Sequence, residues 1–531
     1  MIDTIDGSGQ PERPTIDLLD ADDTGMSATD NNTRLSKLPQ SEEALPDEIM
    51  LPAEELKKRF AAYPRILENS RRLPQRSAVS FDFKPGRRHQ NQCCYTGNAD
   101  LDFRLLRKLC YDGLPYRYTR MTSQITHRLE MELSTIRQQH FVSYFLITWK
   151  IVKYARERGC FYVGRGSGAN SIVSYLLRIT DVDPIELDLY FERFINLFRQ
   201  SPPDFDIDFS WKDRRDVTAF IFRRFAHTAL LATYNTFQYK AVIRELGKVF
   251  GLPADEIIKL QKEPHKADET GKLILRYSRL IRDFPSHLSV HAGGIIIAEK
   301  PITYYTATFL PPKGFPTTRF DMITAEDVGL YKWDILGQRG LAKIRDALEI
   351  IRENRPDEPP IDIHDVRSFY RKEKINRLLK SARAIGCFYI ESPAMRMLLK
   401  KLDVDSYRGL VAASSVIRPG VARSGMMREY IIRHRFPEKR REAHPVLLQL
   451  MPETYGVMVY QEDVIKVAHH FAGLSPAEAD VLRRGMSGKF RSREEFLRVQ
   501  EKFFSNCRKK GYKEAMIQDV WRQIESFAGY A

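Results

Sequence analysis

The pattern of polar and apolar positions divides the chain before any motif is considered. Residues 1 to about 45 are rich in Asp, Ser, Thr, Asn and Pro with no periodic apolar set. That composition predicts loop or disorder, with 1–25 as a disordered leader. Helical spacing begins at PAEELKKRFAAYPRIL and is interrupted by the polar stretch KPGRRHQNQ. From about Leu101 it resumes and continues through RLEMELSTIRQQHFVSYFLITWKIVKYARERG. A short strand, CFYVG, then meets a glycine loop, followed by a helix (NSIVSYLLRI) and the alternating run PDFDIDF. Residues 238–250, QYKAVIRELGKVF, predict an amphipathic helix whose apolar face carries Val242, Leu246 and Val249. SVHAGGIIIAE and LYKWDILG read as buried strands, and the pattern after about Gly340 is mostly helical. There is no internal repeat and no coiled-coil heptad. The expected class is α+β.

Several of these elements carry chemistry. In Pro203-Asp204-Phe205-Asp206-Ile207-Asp208-Phe209, strand alternation puts Asp204, Asp206 and Asp208 on one face and the apolar residues on the other. Like charges so close together are costly unless a cation neutralises them, and oxygen ligands at this spacing suit Mg²⁺ or Mn²⁺. A solvated amphipathic strand is the alternative, although Asp is disfavoured in strands. Lys332-Trp333-Asp334 repeats the alternation, with Lys332 and Asp334 on one face. An ion pair explains that pair as well as a metal site does. The loop Gly164-Arg165-Gly166-Ser167-Gly168-Ala169 lies between a strand and a helix, where backbone N–H groups and a helix N-terminus can receive phosphate. It also fits the loose G-x-G-x-x-A dinucleotide fingerprint, with Asp183 near the ribose-binding spacing. However, Asp183 precedes Pro184 and a helical run, not the end of a second parallel strand.

Ser475-Pro476-Ala477-Glu478 predicts a capping box, starting a helix with Arg483 and Arg484 in its last turn. Those arginines fit either the helix dipole or a polyphosphate. On the 238–250 helix, Lys240, Arg244 and Lys248 recur at every fourth position. Such a stripe fits a solvated face or a phosphate-facing one. His469 and His470 are adjacent and cannot share a helix face, and Arg433 to Arg441 reads as a solvated charged stretch.

Composition sharpens the choice. The 531 residues carry 84 Lys plus Arg against 69 Asp plus Glu, a formal charge of +15, which favours an acidic partner such as nucleic acid. The six cysteines form no Cys-x-x-Cys pair, which argues against a zinc cluster. The acidic start lacks the basic and apolar regions of a signal peptide, and the apolar runs are too short to span a membrane, so a cytoplasmic chain is expected.

In this order, VGRGSGANS, ITDVDPIELDLYFERFIN, PPDFDIDFSW, TYNTFQYKAVIRELGKV, HAGGIIIA, GLYKWDILG, VIRPGVARSGM, TYGVMVYQEDV, ADVLRRGMSGK and FAGY resemble the C-family bacterial replicative polymerases, the DNA polymerase III alpha subunits. The resemblance implies a polymerase-beta-like nucleotidyltransferase palm with a mixed sheet, a helical thumb and mostly helical fingers. It implies template-directed addition of dNTPs to a primer 3′-OH with two Mg²⁺ ions, for which Mn²⁺ could substitute. It selects Asp206 and Asp208 from the same-face acids and adds Asp334 as the third metal ligand. Gly166, Ser167, Arg193, Lys332 and Arg484 match residues near the incoming triphosphate, and Tyr530 matches one near its sugar and base. Lys240, Arg244 and Lys248 become expected DNA contacts.

The implied domains are a remnant of a PHP domain and linker at 26–75, palm at 76–237 and 290–339, thumb at 238–289, and incomplete fingers at 340–531. Primer–template DNA and dNTPs are the implied partners. In the family the sliding clamp, clamp loader and exonuclease subunit are further ones, and most of their docking regions are expected to be missing here. The alternative is a shortened, catalytically weak chain that binds primer–template. Two departures from the family stand out: Tyr389 in FYIES where the family has Gln, and INLFRQSPP in place of its usual loop.

Overall fold

The computed structural model describes residues 51–76, 81, 89–195, 201–363, 365–370, 372–417, 425–485 and 493–525. The described residues fall into two compact units, one within 88–230, 292–308 and 329–531, the other within 1–87, 231–291 and 309–328.

Among the described residues a seven-stranded mixed sheet is built from β1 (Tyr162–Arg165), β2 (Asp206–Ser210), β3 (Thr228–Thr236), β4 (Pro285–Ile297), β5 (Thr308–Phe309), β6 (Thr317–Thr318) and β7 (Lys332–Gln338). The order is β1-β2-β7-β4-β3-β6-β5. β2 runs parallel to β7, whereas β1–β2 and β4–β7 are antiparallel. This is the expected α+β class with a mixed sheet. β2 starts at Asp206, so Asp204 sits just before the strand and not within it, although the Phe205 carbonyl still accepts from Asp334 N–H at 3.1 Å.

The back of the sheet explains the apolar half of the alternation. Phe205, Ile207, Phe209, Trp333 and Ile335 are all at most 2% exposed. Helix Val142–Glu157, apolar around most of its circumference, covers that face. Tyr144 stacks on Trp333 with centroids 4.8 Å apart, Phe145 meets Phe205 edge-on at 5.2 Å, and the Trp333 indole N–H donates to Thr148 Oγ1 at 3.2 Å. Each such aromatic, buried fully, contributes on the order of 1.5–3 kcal/mol. This packing fixes the register, because a one-residue slip would turn every aspartate inward.

Between β3 and β4 the chain forms helices Tyr239–Val249, Ala254–Lys262 and Glu269–Leu280 around a small core of Phe237, Val242, Ile243, Leu246, Leu260 and Ile274. The predicted apolar face of residues 238–250 is therefore the buried one. From residue 339 onward the described chain is helical. One core runs from Leu379 to Ile524 and includes Val457, Val464, Phe471, Leu482, Phe503 and Trp521. Helix does begin at PAEELKKRFAAYPRIL, as two helices, Ala53–Arg59 and Pro64–Arg76. Among the described residues no helix is long and apolar enough to cross a membrane.

Candidate functional site

The polar face of the sheet gathers its charges at the β1–β2–β7 edge. The parallel register sets Asp206 opposite Asp334, and the antiparallel register sets Arg165 opposite Asp206. One carboxylate oxygen from each of Asp204, Asp206 and Asp334 lies within 4.8 Å of the others. Asp334 is buried, and its Oδ1 has no hydrogen-bond partner. Lys332 Nζ pairs with Asp334 and lies 3.6 Å from Asp204 Oδ1. Burial, with the charge of Asp204 adding to it, raises the Asp206 carboxyl to about 6. Burial alone would lower the Lys332 ammonium, but Asp204 and Asp334 outweigh it and leave the group above its ordinary value.

Asp208 faces the same way with different partners. Its Oδ2 accepts from Arg165 Nε at 2.9 Å and Gln338 Nε2 at 3.4 Å, and its buried Oδ1 is unpartnered. Arg165 Nη1 also reaches Asp206 Oδ2 at 3.3 Å, so one guanidinium spans both carboxylates. The convergent oxygens of Asp204, Asp206 and Asp334 make a donor set of the kind that holds a metal ion.

The glycine loop lies against this face. Gly166 has φ +72°, and a Cβ there would sit 2.7 Å from Asp206 Oδ2. Only glycine combines that backbone with so close a carboxylate. Gly166–Asn170 forms a short 3₁₀ turn, and the Asn170 side chain donates to the Ser167 carbonyl at 3.0 Å. The dinucleotide alternative does not survive the topology. β1 is an edge strand antiparallel to β2, and Asp183 caps its own turn by accepting from Ile185 N–H at 2.9 Å.

Arg193 and Arg484 belong to a second cluster. Arg193 donates through Nη1 to Glu462 and through Nη2 to Gln461 Oε1 at 2.7 Å, while its buried Nε is unpartnered. Arg483 and Arg484 both pair with Asp480, which is fully buried, at 2.7 and 2.9 Å. The predicted capping box is formed: Ser475 N–H donates to Glu478 Oε2 at 3.0 Å, and Glu478 N–H to Ser475 Oγ at 3.3 Å. On helix Tyr239–Val249, Arg244 and Lys248 both pair with Glu245, at 2.7 and 2.9 Å.

The stretch from Arg433 to Arg441 is not wholly solvated. Arg433 donates to the Tyr455 carbonyl at 3.1 Å, and Arg440 stacks over the Tyr455 ring at 4.1 Å. His469 Nδ1 donates to the Leu474 carbonyl at 2.6 Å, and His470 meets the Tyr190 hydroxyl, so the two histidines do take separate roles. Tyr389 has φ +69° and donates to the Ser414 carbonyl at 3.2 Å. Tyr530 and residues 196–200 of the departing loop lie outside the described residues.

Sequence reasoning passed over Arg165, Glu462 and Gln461, and it passed over the buried pair Arg128–Glu132. Strand pairing could have signalled Arg165 had the neighbours of β1 been known. Arg128 and Glu132 stand at i,i+4 on one helix, a spacing the sequence shows, although their burial is tertiary; Gln461 and Glu462 are visible only through their tertiary partner Arg193.

A mixed sheet carrying carboxylates on two adjacent strands, with a glycine loop against them, defines a nucleotidyltransferase palm. Residues 104–337 match the family model for the bacterial DNA polymerase III alpha NTPase domain, and residues 340–511 match that for the bacterial DNA polymerase III alpha subunit finger domain. The chain belongs to the bacterial DNA polymerase III alpha family. It is 34% identical over 523 residues to an error-prone DNA polymerase of Symbiobacterium thermophilum, covering 94% of this chain and 47% of that protein. It is 33% identical over 506 residues to DNA polymerase III subunit alpha of Halalkalibacterium halodurans (90% and 44%). With the Escherichia coli K12 protein of the same name it shares 32% over 533 residues (91% and 45%). The chain thus spans about half the length of the curated relatives it matches.

Proposed function

We propose that this chain carries the nucleotidyl-transfer centre of a template-directed DNA polymerase, adding dNTPs to a primer 3′-OH. The observation that carries the reading is the convergence of carboxylates from β2, β7 and Asp204, two residues ahead of β2, with orphaned oxygens, beside Lys332 and the Gly166 loop. Asp206, Asp208 and Asp334 would hold two Mg²⁺ ions, with Asp204 close enough to Asp206 and Asp334 to share in the work. Bound there, the metals lower the pKa of the primer hydroxyl and neutralise charge developing on the α-phosphate and the leaving pyrophosphate.

The protein's own groups do the rest. Gly166 and Ser167 offer backbone N–H groups to the triphosphate, Lys332 and Arg193 offer positive charge, and Arg484 adds a further guanidinium. Tyr530 meets the sugar and base. Lys240, Arg244 and Lys248 contact the DNA backbone. The same reading assigns 76–237 and 290–339 to a palm, 238–289 to a thumb and 340–531 to fingers, and the helical insert between β3 and β4 supports it. Primer–template DNA and dNTPs are the substrates. The setting is cytoplasmic; clamp, loader and exonuclease are partners of the full-length family, most of whose docking regions this reading does not place in the chain.

The test is primer extension by the chain with Mg²⁺, one template and all four dNTPs. Incorporation that follows the template and disappears in Asp206→Asn supports the proposal. DNA binding without any incorporation favours the alternative of a catalytically weak DNA-binding chain.

A further inference from the structure

A wholly buried carboxylate behind the glycine loop has no part in the chemistry above. Glu132, on helix Ser123–Gln138, is 0% exposed. It accepts from Arg128 Nε at 2.6 Å, Ser171 Oγ at 2.7 Å, Ile172 N–H at 3.1 Å and Val173 N–H at 3.3 Å. Burial raises its carboxyl above the ordinary range against the pull of Arg128 and these donors. Arg128 uses its remaining reach on two carbonyls far apart in sequence, Asn170 at 2.9 Å and Leu189 at 3.0 Å, both through Nη2.

Those two carbonyls belong to the segments that carry the proposed triphosphate contacts. Asn170 ends the turn that starts at Gly166, and its side-chain amide holds the Ser167 carbonyl. Leu189 leads directly into the 3₁₀ turn Phe191–Arg193, where Arg193 N–H donates to the Tyr190 carbonyl at 3.2 Å. A structural helix cap would need only Glu132 and its three loop donors. The arginine that spans both segments is the surplus feature: its rigid planar fork meets Glu132 through Nε and both carbonyls through Nη2 in one fixed geometry, which a lysine's single flexible ammonium does not reproduce.

We infer that Arg128, anchored by Glu132, is a positioning residue that sets the Gly166–Ser167 turn and Arg193 at a fixed separation suited to one nucleoside triphosphate. The inference rests on the polymerase reading of the site. Misplacing a contact group by about an ångström can cost on the order of 100-fold, so a clamp two layers behind the ligand can govern its binding.

The experiment titrates the full chain, loaded with primer–template and Mg²⁺, with a fluorescent dATP analogue. Wild type, Arg128→Lys and Arg137→Gln are compared. Arg137 lies on the same helix in an exposed pair with Asp100 and serves as the control. Arg128→Lys keeps a charge beside Glu132 but loses the fork. It should raise the nucleotide Kd roughly tenfold, leave primer–template affinity and thermal stability near wild type, and raise KM more than it lowers kcat. Glu132→Gln should shift nucleotide affinity the same way with a larger loss of stability. Nucleotide binding that is intact in wild type and unchanged in Arg128→Lys overturns the clamp alone. Absence of nucleotide binding by wild type overturns the polymerase reading, and the clamp's role with it.

Discussion

β2 and helix Tyr239–Val249 carry the same kind of message in sequence: one charge type repeated at the period of the element, with apolar residues on the opposite face. They come to different electrostatic ends. On the helix, Arg244 and Lys248 share Glu245 and remain at the surface, so the stripe is partly neutralised by its own element. On β2 the carboxylates are joined by Asp334 from the parallel neighbour, and the orphaned oxygens of Asp208 and Asp334 lie in partly dry surroundings that push Asp206 up. Water and a local counter-ion make a charged stripe inexpensive. Burial and convergence make it costly, and that cost is what a bound cation would relieve.

The comparison breaks most visibly at the carboxylates. Asp206→Asn and Asp334→Asn should each lower single-turnover incorporation by roughly 100- to 1000-fold while leaving the circular dichroism spectrum unchanged. Asp208→Asn should approach them. Asp204→Asn should be milder by at least a factor of roughly ten, and equal loss would move Asp204 into the centre of the site. Next in size is Gly166→Ala, which drives a methyl into the Asp206 carboxylate and strains a left-handed backbone. It should cost about 1–2 kcal/mol of stability and weaken Mn²⁺ binding measured by electron paramagnetic resonance. Unchanged metal affinity would show that the loop is not part of the carboxylate site.

A smaller effect concerns pH. Because the Asp206 carboxyl is raised in the folded protein, the fold holds a proton more tightly than the unfolded chain does. Metal-free stability should therefore fall as pH rises from the ordinary carboxylate range through about 6. Saturating Mg²⁺, or Asp206→Asn, should reduce that slope in urea unfolding curves without abolishing it, because burial also raises the carboxyls of Glu132 and Asp463; a slope unchanged by both would show that Asp206 contributes nothing to it. The smallest effect belongs to the helix. Lys240→Gln should reduce the salt dependence of duplex binding by roughly one ion per contact. Arg244→Gln and Lys248→Gln should do less, since Glu245 already engages them, and Glu245→Gln should tighten binding without changing sequence preference.

Much of the fold was legible because its signals are local. Alternation in PDFDIDF and LYKWDILG, the capping box at Ser475, and the apolar face of residues 238–250 each follow from the period of one element. The candidate site was legible in part for the same reason: Asp204, Asp206 and Asp208, and Lys332 with Asp334, stand out by charge at period two, and only the family resemblance chose among them. What was not legible depends on partners distant along the chain. Arg165 becomes a bridge between two aspartates only when β1 pairs with β2. Glu462 becomes a counter-ion only when the helix that begins at Gln461 packs against Arg193.

By itself, then, the sequence determined which residues share a face, where elements begin and end to within a few residues, and which charges are present. Tertiary structure alone decided which of those charges are dry and which wet. It placed Asp204 ahead of the strand yet still near Asp206 and Asp334, and it turned Glu132 and Arg128 into a buried clamp. The reason is that a residue's period is set by its own backbone. Its dielectric surroundings and counter-charges are set by whichever distant segments pack against it, and those are fixed only when the sheet and its covering helices close.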